Sequence, residues 1–328
     1  MAPKINLARL AVAALSSATI LSSAAFAQGY PERTITMVVP FSAGGPTDTV
    51  ARLVAEKMSG DLGQQIVVEN VGGAGGTLGA GNVAKADADG YTILLHHIGM
   101  ATSASLYRNL PYDPLGFEYV GLVTEVPMVM VARKDFPAEN FTSFVDYVKA
   151  NADKVTMANA GIGAASHLCG MLFQSAIDTQ FVTVPYKGTG PAMTDLLGGQ
   201  VDFMCDQTTN TTQQITGGTI KPYAATTPER IAIFPDLPTV AEAGLPQMEV
   251  AIWHGIYAPG GTPTEATERL SKALQLALAD PGVIKAFGDL GTAPSPAEDA
   301  TPAALKTRLE TEIARWKPVI EAAGVYAD

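Results

Sequence analysis

Two short stretches combine small residues, hydroxyls and the start of a helical pattern: PFSAGGPTD at 40–48 and NAGIGAASHL at 159–168. In the first, Pro40 stops an apolar strand, Gly44 and Gly45 let the backbone take turns closed to other residues, and Thr47 or Asp48 stands where it can cap the helix that follows. In the second, Gly161 and Gly163 free the loop, and Ser166 and His167 open the helix. A strand that runs through such a loop into a helix leaves backbone N–H groups unpaired at the positive end of the helix dipole. That is a ready cradle for a carboxylate or phosphate. The bland reading of each junction is an ordinary capped turn. Two junctions of one design suit an anion with two polar ends, held beyond the carboxyl ends of parallel strands.

Other chemistry is weaker. Ser166 and His167 are adjacent, so a helix does not turn them toward each other, and no G-x-S-x-G elbow accompanies them. His167 reads better as a neutral hydrogen-bonding residue. His96 and His97 end an apolar run, and strand alternation sends them to opposite faces, one to the core and one to the cleft, so they cannot share a metal. GAGNVA at 79–84 fits a dinucleotide fingerprint but follows no clear strand and sits in a glycine run, and no phosphate-binding P-loop is present. No metal or cofactor is expected. Tyr186 and Asp206 lie near strand ends where they can reach a ligand or its waters, and Lys187 reads as solvated. Cys169 and Cys205 read first as two buried thiols and second as a bridge.

The elements that must position these residues alternate. TITMVVPF is a short buried strand, and Val50, Leu53, Val54 and Met58 mark one face of the helix after it. QQIVVEN and YTILLHH are further strands, with a Gly-rich turn and a helix between them. The pattern restarts after VGLVTEVPMVMVARKDFP: FTSFVDYVKAN is an amphipathic helix, and strand, small-residue loop and helix return over 155–176. Thr264 to Ala327 reads as two or more helices broken at APSPAEDATPAA. The alternation implies an α/β fold with parallel sheets covered on both faces. The expected architecture is two α/β lobes, joined by two crossing strands, with a ligand cleft between them.

With 328 residues, 47% hydrophobic and 16% charged, the chain has room for two cores. Lys4 and Arg9 precede LAVAALSSATIL and the small-residue site AFA, which marks 1–27 as a secretory signal peptide. Its removal takes the net charge from −11 to −13. The scattered Lys and Arg form no basic stripe, which excludes a nucleic-acid partner.

In order along the chain, YPERTITMVVPFSAGGPTD, VVENVGGAGGTLGAGNVAKADADGYTILL, LPYDPLGFEYVGLV, GIGAASHL, VPYKGTGPAMTDLLGGQVDFMCD and WHGIYAPGGTP resemble the periplasmic solute-binding proteins of tripartite tricarboxylate transporters, the TctC or Bug family. The resemblance covers essentially the whole mature chain. It implies a type II periplasmic binding protein whose two lobes close like a flytrap on a small carboxylate delivered to a membrane permease. The carboxylate is then held by backbone N–H groups, hydroxyls and waters rather than by an arginine. By position, Phe41, Ser42, Ala43, Gly44, Gly45, Thr47 and Asp48 match the first binding loop, and Gly161, Ile162, Gly163, Ala164, Ser166 and His167 the second. HHIGMATSASLY departs from the usual Thr- and Ser-rich loop, so His97 and Thr102 are placed to tune the ligand toward a longer or flatter diacid, aromatic ones included.

The expectation is therefore a periplasmic, monomeric carrier of a small carboxylate, a dicarboxylate above all, with permease subunits as partners and no catalysis. Its lobes are expected at 28–126 with 250–328, and at 127–249. The alternative is a secreted serine hydrolase using Ser166 and His167; a sensor that docks the same ligand on a receptor is a third reading.

Overall fold

The apolar run from Glu118 to Arg133 is one strand of 16 residues, β4, and it organises the molecule. The computed structural model describes residues 29–327, so the signal peptide expected at 1–27 lies outside the described residues. Up to Pro127, β4 pairs antiparallel with β9 (Ala251–Ala258); from Met128 onward it pairs antiparallel with β7 (Phe203–Gln207) and β8 (Ile220–Ala225). One strand therefore serves two sheets. The chain crosses back beside it: Thr226 N–H bonds Met128 O, and Val250 N–H bonds Thr226 O just before β9 begins.

On the first side, β1 (Ile35–Val39) lies parallel to β2 (Ile66–Asn70) and to β3 (Thr92–His97), and β3 meets β9 antiparallel. On the second, β5 (Thr156–Asn159) is parallel to β6 (Val182–Pro185) and to β7. The expected all-parallel sheets are thus mixed, because the crossing strands β4 and β9 run against their neighbours. A two-residue strand, β10 (Ala293–Pro294), adds to β4.

Helices cover both faces. α1 (Pro46–Leu62) and α8 (Thr264–Leu278) pack Val50, Val54, Met58, Leu270 and Leu274 against Ile35, Met37 and Val39. Val38 points the other way, into a second cluster, as strand alternation requires of a strand buried on both faces. α2 (Thr77–Ala84), α3 (Gly99–Leu106), α9 (Pro281–Asp289) and α10 (Pro302–Ala323) complete the first lobe. In the second, α4 (Phe141–Ala150) and α5 (Ala165–Ala176) contribute Phe144 and Phe173 to an aromatic core with Phe136, Phe203 and Tyr223. α6 (Thr189–Leu197) and α7 (Thr208–Thr216) lie on that lobe too.

Cys169 of α5 and Cys205 of β7 form a disulfide with their Cα atoms 6.2 Å apart, which corrects the first reading of two thiols. The physical reason is that α5 packs on β7, bringing positions 36 residues apart in sequence face to face. Among the described residues no helix is long and apolar enough to cross a membrane.

Candidate functional site

Five strand-to-helix junctions meet at one narrow cleft of about 270 Å³, mouth included. Phe41, Gly45, Pro46 and Thr47 come from the β1–α1 junction and His97 from β3–α3; Ala160, Ala165 and Ser166 come from β5–α5, Thr189 from β6–α6, and Asp206 and Gln207 from β7–α7. The wall holds no Lys or Arg among the described residues. Thr189 and Gln207 were missed in the sequence, although VPYKGTGP and DFMCDQTT repeat the strand-then-helix signal that marked the first two loops.

The N-cap residues explain what these junctions offer. Gly45 caps α1, Ala164 caps α5 and Gly188 caps α6, none with a side chain that can bond the helix N–H groups, and Gln207 at α7 makes no such bond. Among the described residues no protein group accepts from the N–H of Thr47 or Asp48 in α1, or of Ala165, Ser166 or His167 in α5. The polar side chains beside them are turned back into their own loops. Asp48 accepts from Gly44 N–H at 3.0 Å, from Arg52 and from Asn70; burial would raise its carboxyl, but those hydrogen bonds outweigh it and hold the group below the usual range. Ser166 Oγ accepts from Ala160 N–H at 2.8 Å, leaving the hydroxyl hydrogen to point elsewhere. Neither Thr47 nor Asp48 caps its helix, so the cradle stays open.

His96 and His97 do not point to opposite faces. Phe41 stacks on His97 with ring centroids 4.6 Å apart and meets His96 edge-on at 5.6 Å, while the two imidazoles lie 4.9 Å apart. The reason is local: His97 is the last residue of β3, and Gly99 N–H bonds its Nδ1 at 2.9 Å, drawing the ring toward the start of α3. His97 N–H likewise bonds His96 Nδ1 at 2.8 Å. A backbone N–H only donates, so both Nδ1 atoms are acceptors and each neutral ring carries its hydrogen on Nε2. Burial, reinforced by the neighbouring imidazoles, pushes His96 down to about 3 and His97 well below its ordinary value; burial pushes His254 to about 3. All three are neutral donors at pH 7. Among the described residues no three His, Cys, Asp or Glu side chains gather to hold a metal.

Asp206 sits at the end of β7, accepting from Thr189 Oγ1 at 3.0 Å and from Asn210 Nδ2 at 2.5 Å. Burial pushes its carboxyl up to about 6 against the pull of these bonds.

The other singled-out residues stand at the mouth or behind the wall. Ser42 N–H bonds Lys187 O at 2.9 Å, and Tyr107 Oη reaches Ala74 O at 2.6 Å and Ile162 O at 2.8 Å, joining the lobes over the cleft. Thr102 Oγ1 bonds Gly163 O at 2.9 Å, again lobe to lobe. Ser42, Gly161, Ile162 and Tyr186 line this outer groove, where Tyr186 Oη donates to Asp195 at 2.7 Å. Ala43 and Gly44 face solvent at the loop tip. A Cβ on Gly75 would stand 1.8 Å from Ile162 O, so only glycine lets the loops meet. His167 Nδ1 accepts from Gly163 N–H at 3.4 Å, and burial pushes this imidazole down to about 4. Ser166 and His167 thus each bond their own loop and not each other. A larger groove walled by Pro127, Ile231 and Ile233 receives no helix N-terminus and is a seam beside the crossing.

Residues 50–325 match the model of the tripartite tricarboxylate transporter family receptor. The chain is similar to the periplasmic binding protein BugD, at 53% identity and a TM-score of 0.89 over 90% of this chain and 99% of that one. It is similar to MatC from Rhodopseudomonas palustris with bound malate, at 41% identity and a TM-score of 0.86 over 89% and 100%. It is also similar to a second R. palustris protein with adipate, at 34% identity and a TM-score of 0.86 over 90% and 99%.

Proposed function

The chain belongs to the tripartite tricarboxylate transporter receptor family, and from that premise we propose that it captures a small dicarboxylate in the periplasm and delivers it to the family's permease subunits. One observation carries the reading: unpaired N–H groups at helix starts in both lobes converge on one cleft with no cationic side chain in its wall. Such ends favour a negative guest at each. A ligand touching both lobes stabilises the closed arrangement by its differential contacts, and the permease reads that arrangement. The lobes are taken as 28–126 with 250–328, and 127–249, the division falling where β4 changes sheets. One chain supplies both walls, so the carrier works as a monomer, without catalysis or cofactor.

The ligands of the two R. palustris relatives, malate and adipate, differ in length. As it stands the cleft has room for little more than a water, so the choice between a short aliphatic diacid and the aromatic one the histidines suggested falls to titration rather than to size. A thermal-shift series with C4 to C6 diacids tests this. Ligand at ~100 times its dissociation constant adds about 2.7 kcal/mol and raises the melting temperature by several degrees. No shift with any diacid overturns the proposal.

A further inference from the structure

The bonds that join the lobes at the mouth share one direction. Ser42 N–H donates to Lys187 O at 2.9 Å, Thr102 Oγ1 to Gly163 O at 2.9 Å, and Tyr107 Oη to Ile162 O at 2.8 Å. In each, the donor stands on the first lobe and the acceptor is a backbone carbonyl of the second. None of these six residues lines the inner cleft. The bonds are made from protein to protein, and parting the lobes breaks them whatever guest sits between.

Tyr107 is the best anchored of the three donors. It is the residue at which the chain leaves α3, with its own N–H still bonded to Ser103 O. The segment after α10 holds that point: Ala327 N–H bonds Leu106 O at 2.9 Å, and the Arg108 guanidinium lies 4.1 Å over the Tyr326 ring. α10 itself packs on α3. The phenol is therefore carried by α3 and the end of α10 rather than by a ligand loop. Its hydroxyl has one hydrogen and two carbonyls in reach, Ala74 O at 2.6 Å in its own lobe and Ile162 O in the other. When the lobes separate, the hydrogen stays paired with Ala74 O and only Ile162 O turns to water. Opening strands no donor, so the link is weak and reversible.

Resting on the two-lobe capture proposed above, we propose that Tyr107, with Thr102 on the same helix, is a latch that sets the closing equilibrium and takes no part in choosing the guest. Contacts present only in the closed arrangement strengthen the binding of every guest by one factor, and they act by slowing release. A residue that touched the guest would alter different guests unequally. Thr102 thus moves from tuning the ligand to holding it in.

The test uses Tyr107→Phe and Thr102→Val, each close to the native side chain in shape, with succinate, malate and adipate as probes. Each variant is expected to bind all three about 3- to 10-fold more weakly, by the same factor to within about twofold, with the loss in the dissociation rate and the association rate unchanged. A second readout needs no ligand. Both cysteines of the chain lie in the disulfide, so spin labels on Leu78→Cys in α2 and Leu197→Cys in α6, both exposed, report the distance between the lobes. The share of molecules at the closed distance is expected to fall in Tyr107→Phe. Unchanged affinity in both variants, a loss that differs more than about fivefold among the three diacids, or an unchanged closed share overturns the latch and leaves the dicarboxylate reading standing. If one variant does not fold, the other decides. If no diacid binds the wild type, the dicarboxylate reading falls and the label distances alone decide the latch.

Discussion

Two groups of helices in this molecule begin differently. Away from the cleft, Asn140 caps α4 in a reciprocal capping box with Ser143, Asp280 accepts from Gly282 and Val283 at α9, and Thr301 accepts from Ala304 at α10. At the cleft, α1, α5, α6 and α7 all begin without a side-chain cap. α3, which follows His97, begins without one as well, and so do α2 and α8, with Gly76 and Pro263 as N-caps, although neither lines the cleft; the division is a tendency with two exceptions. The first group spends its N-terminal donors on structure. The second leaves them without a side-chain partner, forgoing the roughly 0.5–2 kcal/mol that each side-chain cap contributes. A missing cap at the end of a strand-to-helix junction is therefore a functional signal when several such ends meet.

The sharpest way to break this comparison is to keep the two walls of open helix ends apart. In Gly75→Ala the methyl group meets Ile162 O before the lobes do, and Gly75 has a φ of +61°, where alanine is strained. A penalty of about 3 kcal/mol on closure lowers apparent affinity roughly 100-fold, read by titration with the best-bound diacid. Affinity within threefold of wild type would mean that the ends act singly.

Acid should strike the cleft histidines. His96 and His254 titrate near 3 when folded and near 6.5 when unfolded, so between those values only the unfolded chain binds the proton, and stability falls as pH drops from about 6.5 toward 3. His97 adds in the same direction. Asp206 works against them: its folded value of about 6 exceeds the unfolded 3.8, so the folded state gains as pH drops through that interval. Three imidazoles outweigh one carboxyl, and the urea midpoint is expected to be lower at pH 5 than at pH 7.5. An equal or higher midpoint at pH 5 would show that these rings are not held neutral by burial.

The smallest effects sharpen the comparison by exchanging its two sides. Ala164 already has the extended backbone of an N-cap, at φ −71° and ψ 161°. Ala164→Ser should add about 0.5–1 kcal/mol of stability while costing ~10-fold in affinity, because the new hydroxyl takes an N–H that the guest would use. Asn140→Ala should do the opposite, losing about 1 kcal/mol with affinity unchanged. Parallel denaturation and titration of the pair decide it: the comparison fails if both variants move stability and affinity together.

Much of this was legible in the residues. Apolar alternation and glycine punctuation placed β1, β2, β3 and α4 close to their bounds, and small residues at 42–48 and 161–167 marked two of the five junctions. The direction of the crossing strands was not legible, since an apolar run reads the same in a parallel or antiparallel ladder. Nor was the packing of Phe41 against both histidines, because strand alternation fails at the last residue of a strand, where Gly99 draws His97 around. Thr189 and Gln207 were hidden by their ordinary types, and only the meeting of all the strand ends makes them part of a site. The pairing of Cys169 with Cys205 depends on a helix lying across a strand, which no local pattern records.

That bond has a geometric role beyond holding the second lobe together. Cys169 lies one turn past Ser166 on α5, and Cys205 directly precedes Asp206, so the link ties the start of α5 to the β7–α7 junction within the wall of one cleft. It acts as a brace: the separation of these two parts of the wall is held covalently, and only in oxidising surroundings.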